Sequence, residues 1–383
     1  MTEMVLIRST LRFSLLFGLV LGVVLLYAAL PELSTEKRLE EFALGEKNTV
    51  AMGAVDGALV HCHDLNDADL CLAAYEETAY GQPVVLWLGN SQVHAINQYQ
   101  IGEETAAPEL HRRIQPENRY FLTLSQPNAN LQEHYLLLAY LVDRLPIDTL
   151  ILPVVFDDMR EEGIRTSLVD ALRDPATINT LDDTQVGLTM LANYGDQDAA
   201  GNDMAALTDT VQERSERYLN QALENVWPLW AERPALRGEF FLSLYLLRNW
   251  ALGIDPTSTR KMIPGRYAKN RDALKAILDL AKQRGIAILV YIVPLRNDVK
   301  VPYNLEEYAA FKTEVEALAV RPGVRFANLE DLVPAELWGA KAATTIGGGE
   351  ELDFMHFQAG GHRLLAEALL QELTALWGKE PQP

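Results

Sequence analysis

Basic residues are scarce in this sequence. Its 383 residues carry 53 Asp and Glu against 33 Lys and Arg, a formal net charge of −20 at pH 7. That balance excludes nucleic acid as a partner and leaves no basic patch for an anionic membrane surface. There is no internal repeat and no low-complexity tract, which excludes a repeat array. An apolar content of 49% with 22% charged residues is that of a globular chain, long enough for one large domain or two smaller ones. Cysteine is limited to Cys62 and Cys71, in a polar, loop-like stretch. Two readings of that stretch are open. In an oxidising compartment the pair closes a short local disulfide. Alternatively His61-Cys62-His63, with Asp64 beside it, binds metal, although a one-sided set without a second ligand pair fits structural zinc poorly. No metal and no cofactor is expected on this reading.

Long apolar runs are also lacking, with one exception. Residues 13–30 are uncharged and, at about 1.5 Å per residue, just long enough to cross a bilayer core. Arg8 and Arg12 precede the run, and Glu32, Glu36, Glu40 and Glu41 follow it. The positive-inside rule then leaves residues 1–12 in the cytoplasm and everything after the span outside, in the periplasmic or extracytoplasmic space. A cleaved signal peptide competes with this reading, but Ala28-Ala29-Leu30 matches its cleavage site poorly. Residues 31–82 read as a stalk followed by the cysteine loop and a short helix.

From residue 83 the pattern alternates. Short apolar runs at 84–88, 119–124, 149–156, 286–293 and 324–328 predict five buried strands. Helical periodicity separates them at 109–114, 133–145, 269–284 and 305–318, and a last helix spans 364–377. This is the signature of parallel βαβ units, a three-layer α/β/α sandwich spanning 83–378. Pro153 marks an edge, a bulge or a strand end in the third run. Between about 166 and 265 the alternation gives way to loops (Asp182-Asp183, then 194–203) and helical runs at 209–230 and 236–252. This segment reads as a helical insertion, possible cover for a site, whose Trp227, Trp230, Phe240 and Phe241 serve its own core or a partner.

Two stretches carry chemistry. Gly89-Asn90-Ser91 ends the first buried strand and opens a helix expected to extend toward Tyr99. There a serine hydroxyl meets solvent beside backbone N–H groups and the positive end of the helix, which suits a nucleophile whose reaction makes an oxyanion. Gly-Asn-Ser also occurs in ordinary turns. Far downstream, Asp353-Phe-Met-His356 lies on a predicted turn before the last helix. An Asp three residues before a His can fix the imidazole tautomer, and a His so held can take a proton from serine. The plainer alternative is a helix-capping Asp with a surface His.

Strand-Gly-x-Ser near the start and Asp-x-x-His before the last helix resemble the first and last blocks of the SGNH/GDSL hydrolase superfamily. The resemblance covers 83–165 and 266–378. It implies Ser91 as nucleophile, His356 as base and Asp353 as its orienting acid. It also implies an oxyanion hole completed from the middle loops, where the match is poor. Gln92, Asn128, Asn130, Asp157 and Arg160 are the candidates for oxyanion or substrate contacts. The second loop has no glycine, and the third reads Phe156-Asp157-Asp158, where an ionised Asp157 cannot donate a hydrogen bond. Architecturally the chain is similar to the DltD-type, membrane-anchored envelope acyltransferases. That similarity implies acyl transfer on a cell-envelope polysaccharide, beside a membrane-bound O-acyltransferase partner. A small-molecule esterase and a non-catalytic binding or assembly protein of the same fold are the competing functions. A metal phosphoesterase is disfavoured, since Asp and His do not cluster with ligand spacing before the final turn.

Overall fold

A computed structural model describes residues 53–63, 65–195, 259–341 and 351–378. The expected anchor at 13–30, the stalk at 31–50, Asp64 and the helical runs 209–230 and 236–252 lie outside the described residues. Among the described residues no helix is long and apolar enough to cross a membrane.

A hairpin of β1 (Ala54–Val55) and β2 (Ala58–Leu59) leads into a sheet of six strands. These are β3 (His61–Cys62), β4 (Val84–Gly89), β5 (Tyr120–Ser125), β6 (Ile147–Val154), β7 (Ala287–Ile292) and β8 (Val324–Asn328). Their order is β3-β5-β4-β6-β7-β8, and every pairing is parallel. The five expected strands are present; the sixth, β3, corrects the reading of the cysteine segment as loop. Its two residues are too few to show a period, and only pairing with Thr123 and Leu124 of β5 makes them a strand. β6 is an inner strand, and Pro153 falls beyond its last pair with β4, where a missing N–H breaks no bond of that ladder.

Alternation along the strands builds the layers. Val84, Leu86 and Leu88 face one side with Leu122, Leu150, Leu152, Ile288 and Val290. There they meet α1 (Leu65–Thr78), α4 (Leu131–Leu141), α7 (Pro264–Arg284) and α8 (Leu305–Ala319). Val85, Trp87, Phe121, Ile151, Leu289 and Tyr291 face the other side, against α3 (Ala106–Ile114) and α9 (Ala359–Leu376). Each such buried side chain contributes roughly 1.5–3 kcal/mol. The described start of the insertion is helical: a 3₁₀ segment (Thr166–Arg173) and α5 (Pro175–Leu181) pack against α4, and α6 (Gln185–Tyr194) packs on α5, α7 and the 3₁₀ segment.

Two expectations near the site need correction. The helix after Ser91, α2 (Ser91–His94), is only four residues long, because the chain leaves it to pair the Asn97 amide with the Phe357 carbonyl. The Asp-x-x-His segment is not a turn. It lies on β10 (Glu351–Phe357), which pairs antiparallel with β9 (Trp338–Lys341) and loses register between Leu352 and Phe357.

A buried histidine braces the second layer, and another, His134 of α4, lies in the first. His362 of α9 accepts the Ala106 amide at Nδ1 (3.2 Å) and donates from Nε2 to the Ala95 carbonyl (3.0 Å), so only the neutral ring fits. Burial, the largest cause, lowers both His362 and His134 from 6.5 to about 3; nearby Arg165 adds to the effect on His134. In the unfolded chain both rings protonate near 6.5, so their contribution is complete above that pH and is lost as pH falls toward 3. Stability should therefore decline by about 1.4 kcal/mol per pH unit for each ring. Urea unfolding followed between pH 7 and pH 4 checks this; a midpoint that does not move over that range contradicts it.

Candidate active site

In an open parallel sheet, the ligand crevice lies beyond the C-terminal strand ends where the strand order reverses. Here the chain runs from β4 to β5 on one side and then to β6 on the other, so the reversal falls at β4. Ser91 is the second residue past that strand. Gly89 makes the turn possible, because a Cβ there would lie 2.4 Å from Cγ2 of Val93. Asn90 caps the short helix, its side-chain oxygen accepting the Gln92 amide at 3.0 Å.

Ser91 Oγ lies 2.9 Å from His356 Nε2, and His356 Nδ1 lies 2.9 Å from Asp353 Oδ2. The structure thus brings together three residues separated by up to 265 positions. Asp353 is almost fully buried and His356 is 13% exposed at its side chain, a relay with one open end. The break in β10 explains the geometry. It releases the amides of Met355 and His356 from the ladder, and Asp353 Oδ1 accepts both (2.9 and 3.1 Å). With one oxygen fixed this way, the other is aimed at the imidazole. A carboxylate only accepts, so Nδ1 carries the proton and Nε2 presents its lone pair to the serine hydroxyl.

Two amides keep the halves in register. Asn97 Nδ2 donates to Asp353 Oδ2 at 3.2 Å. Gln92 Nε2 donates to the carbonyls of Pro294 (2.9 Å) and Met355 (2.7 Å), joining the residue after the serine to the strand that carries the histidine. Neither Asn97 nor the bracing role of Gln92 was legible in the sequence, for both depend on contacts across hundreds of residues.

The candidate oxyanion and substrate side chains have these partners. Asn130 accepts the Gln132 and Glu133 amides in a capping box, and its Nδ2 donates to the Gly163 carbonyl. Glu133 in turn takes a fork from Arg165. Asn128 is exposed, in a left-handed backbone conformation (φ 51°). Asp157 is ion-paired with Arg160 (3.0 Å) and Arg260 and accepts from Tyr303 Oη (3.0 Å). The buried carboxyl beside Ser91 belongs instead to Asp158, whose Oδ2 accepts from Asn90 Nδ2 at 2.8 Å. Burial drives Asp158 well above the usual carboxylate range; the Asn90 bond opposes this, and the charges of Asp157, Glu161 and Glu133 reinforce it. The Ser91 amide, first in its helix and so without an intrahelical acceptor, is the backbone donor closest in sequence to the nucleophile position.

Cys62 and Cys71 are joined by a disulfide that fastens β3 to α1. Beside it His61, His63 and His94 form a cluster in which His94, three residues after Ser91, was not foreseen. Burial first, then His63 and His94, lowers His61 well below the ordinary histidine value.

No protein-family model and no curated protein matches the chain. Among solved structures it is similar to a protein assigned as a platelet activating factor from Streptococcus pneumonia, at 11% identity and TM-score 0.35, over 81% of this chain and 94% of that one. It is also similar to a point mutant of the acetyl-xylooligosaccharide esterase Axe2 from Geobacillus Stearmophilus, at 11% identity and TM-score 0.34, over 79% and 98%. Likeness at this level carries no argument about activity, which must rest on the site itself.

Two outcomes follow. A Cβ at Gly339 would lie 2.0 Å from Asn97 Oδ1, so Gly339→Ala should push Asn97 off Asp353. Under the acyl-transfer reading proposed below, turnover of an acetyl ester should fall by about 10–100-fold in a folded protein, in line with the cost of a small misplacement; unchanged turnover would remove Asn97 from the relay's support. For Asp158, a raised folded pKa means that its contribution is complete below the usual carboxylate range and is lost as pH rises through the folded value. Asp158→Asn keeps an acceptor for Asn90 and removes the titration. Its stability relative to wild type should thus increase between pH 5 and pH 8 in urea unfolding, and a constant difference would contradict the assignment.

Proposed function

We propose that this chain is a serine-dependent acyl-transfer enzyme of the SGNH-like kind, an esterase or O-acyltransferase. The observation that carries this reading is the hydrogen-bonded run from Ser91 Oγ through His356 to Asp353 at the C-terminal end of β4. The serine hydroxyl gives its proton to His356 Nε2 as Oγ attacks the ester carbonyl, and Asp353 stabilises the imidazolium. The tetrahedral oxyanion faces the start of α2, where the Ser91 amide is a donor. His356 then returns the proton to the leaving alkoxide, leaving an acyl-serine. A second hydroxyl, from a carbohydrate or from water, repeats the sequence in reverse.

An envelope polysaccharide as acceptor, an acyl donor delivered at the inner membrane and a membrane-bound O-acyltransferase partner fit this chemistry. Support for them comes from the apolar segment 13–30 and its flanking charges, which would tether the domain on the extracytoplasmic face. The chain reads as single-pass on this view. A non-catalytic binding protein of the same fold is favoured by one observation, that Asn130 and Asp157 already have internal partners.

Intact-mass spectrometry of the purified full chain after exposure to p-nitrophenyl acetate separates the two. Wild type should acquire one acetyl group on Ser91. Ser91→Ala should acquire none there and lose activity by at least about 10³-fold, and His356→Ala should lose a comparable amount. Faster release to sugars than to water would mark a transferase. Full activity in folded Ser91→Ala would overturn the proposal.

A further inference from the structure

Three of the seven histidines meet at the C-terminal ends of β3 and β5. His61 and His63 are two apart, so they share a side of the edge strand opposite Cys62. His94 closes α2. Ring centroids are 4.5 Å apart for His61 and His63, 5.4 Å for His63 and His94, and 5.8 Å for His61 and His94. One ring nitrogen of each lies within 4.8 Å of the others. Modest rotation about the broad terminal torsion of a histidine closes such a set to the about 3.3 Å that tetrahedral Zn–N bonds of 2.0–2.1 Å require.

The outer contacts are those of metal-ligating histidines. His63 Nδ1 lies 3.1 Å from the Ser125 carbonyl oxygen, which only accepts, and 3.4 Å from His61 Nε2; the proton on His63 Nδ1 leaves the lone pairs on His63 Nε2 and His61 Nε2. His94 Nδ1 lies 2.7 Å from Ser125 Oγ. One serine at the end of β5 thereby orients two rings, as outer-shell partners orient zinc ligands. His61 is 4% exposed, and its Nδ1 is buried with no hydrogen-bond partner among the described residues. Its Nε2, beside His63 Nδ1, is the nitrogen that offers a lone pair to a metal ion. An all-nitrogen donor set selects zinc, copper, nickel or cobalt over magnesium and calcium, which take oxygen.

We propose that His61, His63 and His94 bind one divalent transition-metal ion of the zinc class, clamping the disulfide-tethered edge strand to the helix that opens with Ser91. The site is independent of whether Ser91 is a nucleophile.

The test uses the purified full chain, stripped with a chelator under non-reducing conditions and titrated with Zn²⁺ against a chromophoric competitor. Wild type and Ser91→Ala should each take up one equivalent. The triple variant His61→Gln, His63→Gln, His94→Gln should lose at least about 100-fold in affinity, more than the 10–100-fold loss usual for an outer-shell partner. Co²⁺ loaded into wild type should give visible bands of a nitrogen-rich tetrahedral site, which needs no variant to fold. Absence of stoichiometric Zn²⁺ uptake by wild type, or equal uptake by the triple variant, would overturn the proposal.

Discussion

A parallel sheet buried on both faces has nowhere to put polar chemistry except its rim. β4 is the extreme case: all six residues are buried, three kinds of apolar side chain alternate between the layers, and neighbours pair along both edges. Nothing reactive fits within it, so the first reactive group appears where the strand ends and the chain turns over Gly89. The site depends on that constraint. Ser91 has a fixed address because β4 does, and the short α2 exists because Asn90 satisfies the amide that the turn leaves exposed.

The second half of the site obeys a different rule. Asp353 and His356 sit on a strand pair outside the main sheet, held against its rim by the buried Trp338, Phe354 and Phe357 and by polar contacts. Arg296, in the segment after β7, donates from Nη1 to the Gly339 carbonyl at 2.9 Å while its other nitrogens are paired with Asp298. Asn97 and Gln92 add two further ties, each between segments distant in sequence. The break in β10 is what makes the strand useful here, since a regular ladder would occupy the amides that fix Asp353.

Much of this was legible beforehand and some was not, for identifiable reasons. The long strands announce themselves because five or six consecutive apolar residues have no other stable home, and 324–328 is found within its observed bounds. Ser91, Asp353 and His356 could be singled out because each sits at a marked break in pattern. β3 could not, being two residues that become a strand only through β5. The length of α2 was overestimated because local propensity at residues 95–99 does not reveal the pull of the Phe357 carbonyl. Asn130 and Asp157 looked free in a one-dimensional reading, where the carbonyl of Gly163 and the guanidinium of Arg260 are invisible. His94 lies within the very stretch that drew attention to Ser91, yet without β3 beside it there was no reason to join it to His61 and His63.

Gln92 gives the arrangement a further property. A single side-chain amide grips carbonyls from the end of β7 and from β10 while its own backbone follows the serine directly. Ser91 and His356 therefore share one short mechanical linkage, and a displacement of either is transmitted to the other within a few bonds. The configurational entropy of bringing these two side chains together is surrendered once, when the chain folds.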